Sequence, residues 1–107
     1  MEERNNLIIL YDYYQGLLTN KQKQYFELYY FDNLSLSEMS ENLNISRNAI
    51  HKVLKNITNK LNFYEETLKI KAKSDKLKKI TTSINDKELQ DKIKKIYEED
   101  LWKTKYH

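Results

Sequence analysis

Apolar residues in the first 43 positions recur at the spacing of helix faces, and helix-starting signals lie between them. A capping box at "TNKQ", in which Thr19 accepts a backbone hydrogen bond while Gln22 reaches back, predicts the start of a second helix. Another capping box, "SLSE" at Ser35, predicts a third helix that ends near Leu43. The first helix ends near Gly16, and its predicted apolar face consists of Leu7, Leu10, Tyr14 and Leu17.

The second helix carries many aromatic residues. Tyr25, Leu28 and Tyr29 are expected to face inward, and Phe26 and Tyr30 adjoin them. A base-stacking surface for nucleic acid is one interpretation. Because aromatic residues fall on nearly all faces of this helix, packing in the core or against a protein is favoured.

The corner between the third and fourth helices has the pattern of a helix-turn-helix. Ser40 stands where the two helices approach most closely and only a small side chain fits. Asn44 stands at the turn, since Asn adopts the left-handed backbone conformation more readily than most other non-glycine residues. Ser46 is the expected N-cap of the fourth helix. Apolar residues fill the buried positions of such a corner: Met39, Leu43, Ile45, Ile50 and Val53.

The fourth helix has no evident stop signal. Its apolar stripe continues at spacings of three and four and predicts a helix to about Lys73, roughly 40 Å long. Two more helices are expected after "KSD", the first with a stripe of Leu77, Ile80 and Ile84, and the second capped by Asp86. The apolar residues of the fourth helix are Ile50, Val53, Ile57, Leu61, Tyr64 and Leu68, and those of the last helix are Leu89, Ile93, Ile96 and Leu101.

These elements predict an all-α fold. Residues 1–73 form a helix-turn-helix domain with a long recognition helix. Residues 74–107 form a C-terminal helical extension that packs on this core or on a second subunit.

Six polar residues project outward from the start of the predicted recognition helix, the part of a helix-turn-helix that enters the major groove. Arg and Asn form paired hydrogen bonds with guanine and adenine, whereas Lys and a helix N-terminus favour phosphate. The alternative is a corner that serves packing alone, because a fold can lose a function and keep its shape. The candidate nucleic-acid-binding residues are Ser46, Arg47, Asn48, His51, Lys52 and Lys55.

The charge distribution favours the binding interpretation. The formal net charge of +3 combines a net −4 in residues 1–41, +4 in residues 42–64 and +3 in residues 65–107. The middle segment has no acidic residue, and a nearby carboxylate would repel phosphate. The lysine-rich stretch 69–79 is interpreted as a solvated helix face.

Composition narrows the remaining possibilities. With 107 residues, one glycine and no proline, the chain suits one helical domain with a modest core. The absence of cysteine excludes disulfides and thiolate metal sites and fits a reducing cytoplasmic setting. The first residues lack the apolar run of a signal peptide, and no stretch approaches the roughly 20 apolar residues of a membrane span, so no membrane insertion is expected.

No catalytic residue, cofactor or metal is expected. His51 and His107 have no second histidine at metal-ligand spacing. The "EED" at 98–100 lies on a lysine-rich helix and is interpreted as solvated. Trp102 suits a core position or an interface anchor equally well.

The segment "LTNKQKQYFELYYFDNLSLSEMSENLNISRNAI" is the specific part of a wider resemblance, over residues 17–68, to the YlxM family of small bacterial helix-turn-helix proteins. That family is similar to the DNA-binding region four of bacterial sigma factors. The resemblance implies a non-catalytic regulatory role and a link to the signal recognition particle pathway. Arg47 and Asn48 match the start of the family's recognition helix. Lys52 stands where relatives commonly carry an acid, which makes this helix more basic than the family pattern.

Two functions of different class follow. In the first, the protein binds nucleic acid, either promoter DNA or the RNA of the signal recognition particle. In the second, it is a protein-binding adaptor for the particle's GTPase or for RNA polymerase, with the helix-turn-helix as scaffold. The acid-free segment favours the first, and the acidic, aromatic-rich first segment suits the second. The long apolar stripes also predict a homodimer joined through residues around 57–101.

Overall fold

The computed structural model of the protein describes residues 2–98. Within this range the chain forms six α-helices, one short 3₁₀ turn and no strand, which confirms the predicted all-α fold. The helices are α1 (Glu2–Tyr14), α2 (Asn20–Tyr30), α3 (Leu36–Leu43), α4 (Arg47–Leu68), α5 (Ile70–Thr82) and α6 (Lys87–Glu98).

Helix α4 is the centre of the fold. It contacts α1, α2 and α3, and its own buried residues are Ile50, Leu54, Ile57 and Leu61. These four residues pack with the buried faces of α1, α2 and α3 in a single apolar cluster. Helices α5 and α6 pack on each other, and α5 reaches back to α1 and α4.

The predicted starts of α2, α3 and α6 are confirmed. Thr19 and Ser35 each form a complete capping box, with Gln22 and Glu38 as the respective partners. At α6 the Leu89 N–H donates to Asp86 Oδ1 at 3.1 Å. Each of these signals lies within three residues of the helix end that it stabilises, so local sequence is sufficient to predict it.

The end of α1 differs from the prediction. Leu17, expected on the apolar face, is 50% exposed, whereas Leu18 is buried. The chain leaves the α-helix after Tyr14 and continues as a 3₁₀ turn over Gln15–Leu17. The α-helical spacing of three and four therefore stops at Tyr14, and it does not predict which of Leu17 and Leu18 faces the core.

The aromatic residues of α2 belong to the core. Tyr25 and Phe26 are buried, while Leu28 and Tyr29 are half-buried at its edge. Phe26 stacks on Tyr11 with ring centroids 4.2 Å apart, and also on Tyr30 at 4.4 Å. Packing in the core is confirmed for Tyr25 and for Phe26, which the predicted inward set omitted. Tyr29 and Tyr30 are only half-buried, and each leaves part of its side chain at the surface.

The helix-turn-helix corner has the predicted geometry. Asn44 adopts the left-handed conformation, with φ 54° and ψ 46°. The Ser40 hydroxyl donates to the Ile45 carbonyl oxygen at 2.5 Å, which closes the turn. Met39 and Ile50 are fully buried, and the other predicted apolar residues of the corner pack around them.

The recognition helix ends sooner than predicted, at Leu68 rather than near Lys73. Lys69 takes a left-handed conformation with φ 55°, and α5 begins at the next residue, before the "KSD" expected to precede it. The Tyr14 hydroxyl accepts from the Ile70 N–H at 3.0 Å. The Glu65 carboxylate accepts from the Lys71 and Ala72 N–H groups, both at 3.1 Å. Tertiary contacts from α1 and α4 therefore stabilise the break.

The predicted apolar faces of the two C-terminal helices are only partly confirmed. In α5 the buried residues are Ser74 and Thr81, whereas Ile80 is 60% exposed. In α6 Tyr97 is buried, and Leu89 and Ile96 are exposed. These short helices cover little apolar surface, so their stripes do not all face protein. The predictions for Leu101, Trp102, His107 and residues 99–100 lie outside the described residues.

No helix within residues 2–98 combines the length and the apolar character needed to cross a membrane.

Candidate nucleic-acid interface

The candidate face begins at the N-terminus of α4. The Ser46 hydroxyl accepts from the Ala49 N–H at 3.1 Å, which confirms Ser46 as the N-cap. The preceding N–H groups of Arg47 and Asn48 have no partner within the helix, as at every α-helix start. No acidic residue lies in this first turn, so the positive end of the helix dipole is not neutralised there.

All six candidate residues are exposed. Arg47, His51 and Lys55 are each four positions apart and form one row along α4. Asn48 and Lys52 form the adjacent row. The structure therefore places these two rows side by side on the exposed surface of α4, next to the face that enters the core.

Two open depressions adjoin this face. The first, which we call the N-terminal depression, has a volume of about 460 Å³ and is lined by Leu36, Ser46, Arg47, Asn48 and His51. It unites four of the six predicted residues. Lys52 lines neither depression.

The second depression, which we call the tyrosine depression, has a volume of about 440 Å³. It lies between α2 and the middle of α4. It shares His51 with the N-terminal depression and adds one further predicted residue, Lys55. Its lining residues are Glu3, Tyr29, Tyr30, Leu36, His51, Leu54, Lys55, Thr58, Asn59 and Asn62.

The start of α3 borders both depressions through Leu36. The nearby Glu38 carboxylate accepts from the Ser35 N–H at 2.9 Å, and the Ser35 hydroxyl accepts from the Glu38 N–H. The hydrogen bond from the Ser35 backbone, with a further one from its side chain, lowers the pKa of Glu38 below its usual value. This carboxylate is therefore ionised at neutral pH, and its hydrogen bond to the Ser35 N–H caps the start of α3.

The described part of the chain contains no candidate metal site. Within residues 2–98, no three His, Asp or Glu side chains lie close enough together to hold a metal ion. His51, the one histidine in this range, is exposed on the candidate face.

The family of the chain follows from its sequence match. A family model described as "UPF0122: Putative helix-turn-helix protein, YlxM / p13 like" matches residues 1–101. The chain belongs to this family. The match extends the resemblance beyond residues 17–68 to nearly the whole chain.

Several UPF0122 proteins are similar over most of their length. One from Ureaplasma parvum serovar 3 is 49% identical over 90 residues, which cover 84% of this chain and 91% of that protein. One from Malacoplasma penetrans is 42% identical over 101 residues, which cover 94% of each chain. One from Thermoanaerobacter sp. is 42% identical over 100 residues, which cover 87% of this chain and 86% of that protein.

Sequence reasoning missed the residues that extend this face of the UPF0122 chain toward the middle of α4. Thr58, Asn59 and Asn62 line the tyrosine depression beside Lys55. One sequence signal pointed to Asn59, which continues the row of Arg47, His51 and Lys55 at a spacing of four. Nothing in the sequence indicated that Tyr29 and Tyr30 would stand beside it, because that proximity depends on how α2 packs against α4.

Proposed function

We propose that this UPF0122 protein is a non-catalytic regulatory protein that binds nucleic acid through the first turns of α4. One observation carries the proposal. The exposed side of α4 begins with Arg47 and Asn48 at an uncompensated helix N-terminus, and the whole segment 42–64 has no acidic residue. Such a surface attracts a phosphate backbone over its full length.

The six candidate residues take different roles in this proposal. Arg47 and Asn48 lie in the first turn, where the base edges of a major groove come within reach. Lys52 and Lys55 lie one to two turns further along and contact phosphate. Ser46 caps the helix and presents its first N–H groups, and His51 joins the two depressions. None of these contacts requires a cofactor.

The pathway is a further part of the proposal. The resemblance to the YlxM family supports a role in the signal recognition particle pathway, whose RNA would be one target and promoter DNA the other. Either target would place the protein in the cytoplasm.

Fluorescence anisotropy with labelled duplex DNA and structured RNA tests the proposal. The variant Arg47→Ala/Asn48→Ala/Lys52→Ala/Lys55→Ala removes three positive charges from the candidate face. A matched control, Lys73→Ala/Lys76→Ala/Lys78→Ala, removes three exposed charges from α5. Since the net charge is +3, both variants have a formal net charge of zero.

We expect the α4 variant to bind at least about tenfold more weakly, since a lost base-reading pair alone costs about 1–3 kcal/mol. The dependence of log K on log salt should flatten by about one unit for each lost phosphate contact. The α5 control should retain both affinity and salt slope. Equal losses in the two variants, or none in the α4 variant, would contradict the proposed face.

A protein-binding adaptor is the second candidate function, and one observation favours it. The first 41 residues carry a net charge of −4, and Ile9 and Leu17 are exposed large apolar residues within this segment. In this alternative the partner is the GTPase of the particle or RNA polymerase. Capture from lysate that survives nuclease treatment and is lost in Ile9→Ala/Leu17→Ala would favour the adaptor.

We also propose that the protein acts as a homodimer. Large apolar side chains are exposed beyond the middle of α4, and pairing two helix-turn-helix units would present half-sites about 34 Å apart. The predicted extension that begins at residue 74 would supply part of the contact. Light scattering should give the mass of a dimer, and Phe63→Glu should reduce it to that of a monomer. The exposed residues concerned are Phe63, Leu68, Ile80, Leu89 and Ile96.

A further inference from the structure

We propose that the tyrosine depression binds the base of an unpaired nucleotide in a nucleic acid held by α4. This inference rests on the proposed nucleic-acid binding and names the feature of the ligand that the site recognises. It predicts that the preferred target is a structured strand with a bulged or single-stranded nucleotide, and not a uniform duplex.

One wall of the depression is a rigid aromatic surface. The Tyr30 ring stacks on Phe26 with centroids 4.4 Å apart, and the Arg4 guanidinium carbon lies 5.2 Å from its centroid. Arg4 also donates to the Tyr30 carbonyl oxygen at 2.5 Å and to Asn33 Oδ1 at 2.8 Å. Thr58 of α4 lines the depression beside Tyr30. These contacts position the ring before any ligand arrives.

The neighbouring Tyr29 supplies the second ring of this wall. Its ring is nearly perpendicular to that of Tyr30, at 84°, with the centroids 5.0 Å apart. Tyr29 is half-buried at the edge of the core and lines the depression. Because Phe26 and Arg4 already lie against the faces of the Tyr30 ring, Tyr29 is the ring on which a base would stack, and Tyr30 holds it in place.

The opposite wall offers hydrogen-bonding groups. Asn59 and Asn62 are exposed on α4 and line the depression with their amide-bearing side chains. An amide supplies both donors and acceptors, as the edge of a nucleobase requires. An aromatic ring combined with side-chain amides is the usual recognition set for an unpaired base, which exposes both its face and its edges.

Size and continuity favour a nucleotide that belongs to a longer strand. The volume of about 440 Å³ lies within the range of roughly 300–1,000 Å³ typical of small-ligand sites. His51 and Leu36 line this depression and the N-terminal depression alike. Arg47 and Asn59 are twelve residues apart, or roughly 18 Å along α4. A strand whose phosphates lie at the start of α4 therefore reaches the tyrosines within a few nucleotides.

The charge of the lining favours a base over a phosphate. The Glu3 carboxylate lines the tyrosine depression, and no acidic residue lines the N-terminal depression. A carboxylate repels phosphate but accepts a hydrogen bond from the exocyclic amino group of a base. Lys55 and His51 stand at the side nearer the α4 start, where the backbone of the strand would pass.

The test compares a fully paired hairpin with the same hairpin carrying one bulged adenosine, each made as RNA and as DNA. We expect wild-type protein to bind the bulged form at least about fivefold more tightly, because the unpaired base stacks on an aromatic side chain. A preference in either sugar series supports the proposal and shows which nucleic acid supplies the base. Equal affinity for paired and bulged hairpins in both series overturns it.

Variants assign the preference to the depression. Tyr29→Ala should abolish the preference for the bulge, and Tyr29→Phe should retain it because the ring remains. Asn59→Ala/Asn62→Ala changes only exposed residues and keeps the test valid if Tyr29→Ala does not fold. Lys60→Ala, on the exposed side of α4 but outside both depressions, should leave the preference intact. A preference that survives both Tyr29→Ala and the double Asn variant overturns the proposal.

Failure of this inference is distinguishable from failure of the proposed function. If paired and bulged hairpins bind equally, and the α4 face variant weakens both, nucleic-acid binding stands and the base site is wrong. If no hairpin binds, both are wrong.

Discussion

The helix-turn-helix core, α1 to α4, and the C-terminal hairpin of α5 and α6 are built on different principles. The core buries thirteen apolar residues in one cluster. In the hairpin the buried residues are Ser74, Thr81 and Tyr97, and most of the surrounding surface is charged. Four lysine–carboxylate pairs, each four residues apart, lie along α5 and α6.

This difference means that the core and the hairpin depend on different interactions for their stability. Burial of large apolar side chains stabilises the core and with it the exposed face of α4. The hairpin joins the core through Ile70, which packs against the apolar cluster, and through hydrogen bonds at Tyr14 and Glu65. It closes on itself through Gln90, whose amide donates to the Thr81 and Ile84 carbonyl oxygens. We therefore expect the hairpin to open at a lower free energy than the core.

The largest effect is expected in the core. Phe26 is fully buried between two aromatic rings, and Phe26→Ala should lower the free energy of unfolding by about 3–5 kcal/mol. Urea denaturation followed by far-ultraviolet circular dichroism measures this change. Leu17→Ala, at a residue that is 50% exposed and lies outside the proposed dimer contact, is the matched control and should cost far less. Similar losses in the two variants would contradict the assignment of the core.

A smaller, local effect is expected at the junction. Glu65→Ala removes the acceptor for the first N–H groups of α5 and should cost about 1–3 kcal/mol. Amide hydrogen exchange should accelerate in α5 and α6 while the amides of α2 and α3 keep their protection. The exposed neighbour Glu66 provides a control through Glu66→Ala. If α5 exchanged no faster in Glu65→Ala than in wild type, the capping role would be wrong.

The junction should also respond to alkaline pH. Burial, and next the hydrogen bond to Glu65, raise the pKa of Tyr14 from 10.0 to about 12. Because the folded pKa lies above the unfolded one, the unfolded chain loses this proton first as pH rises. The stabilisation is complete below pH 10 and is lost as pH rises to about 12.

The variant Tyr14→Phe isolates this contribution. It removes the hydroxyl that accepts from the Ile70 N–H, and should cost about 0.5–1.5 kcal/mol at neutral pH. The urea midpoints of wild type and variant should then converge as the pH rises from 10 to about 12, because only the wild type loses the stabilisation by the Tyr14 hydroxyl. A difference that stays constant with pH would show that Tyr14 does not titrate as inferred.

The smallest effect is expected on the surface of the hairpin. Lys87 and Asp91 form an exposed pair at 3.8 Å, and Lys87→Ala should change the free energy of unfolding by at most about 0.5 kcal/mol. Thermal unfolding in low and high salt measures it. A change as large as that of Glu65→Ala would mean that ion pairs, and not the junction, hold the hairpin.

Some features of this protein were determined by the sequence itself. The helix starts at Thr19, Ser35 and Ser46, and the left-handed turn at Asn44, depend on atoms only a few residues apart. The exposed row of Arg47, His51 and Lys55 follows from helical spacing once Ile50 and Ile57 are known to face inward. Such features need no knowledge of the neighbouring helices.

Other features were decided by the tertiary structure alone. The apolar stripe of α4 runs to Leu68, and at the break the Tyr14 hydroxyl of α1 accepts from the Ile70 N–H. Glu65 also accepts there, but it is local, six residues before Lys71. Tyr14 is 56 residues away from Ile70 in sequence, so no local pattern encodes that contact. The tyrosine depression likewise exists only because α2 brings Tyr29 and Tyr30 beside Asn59. Periodicity specifies which side of a helix is apolar, whereas the packing of distant elements decides where the helix stops and what its polar side faces.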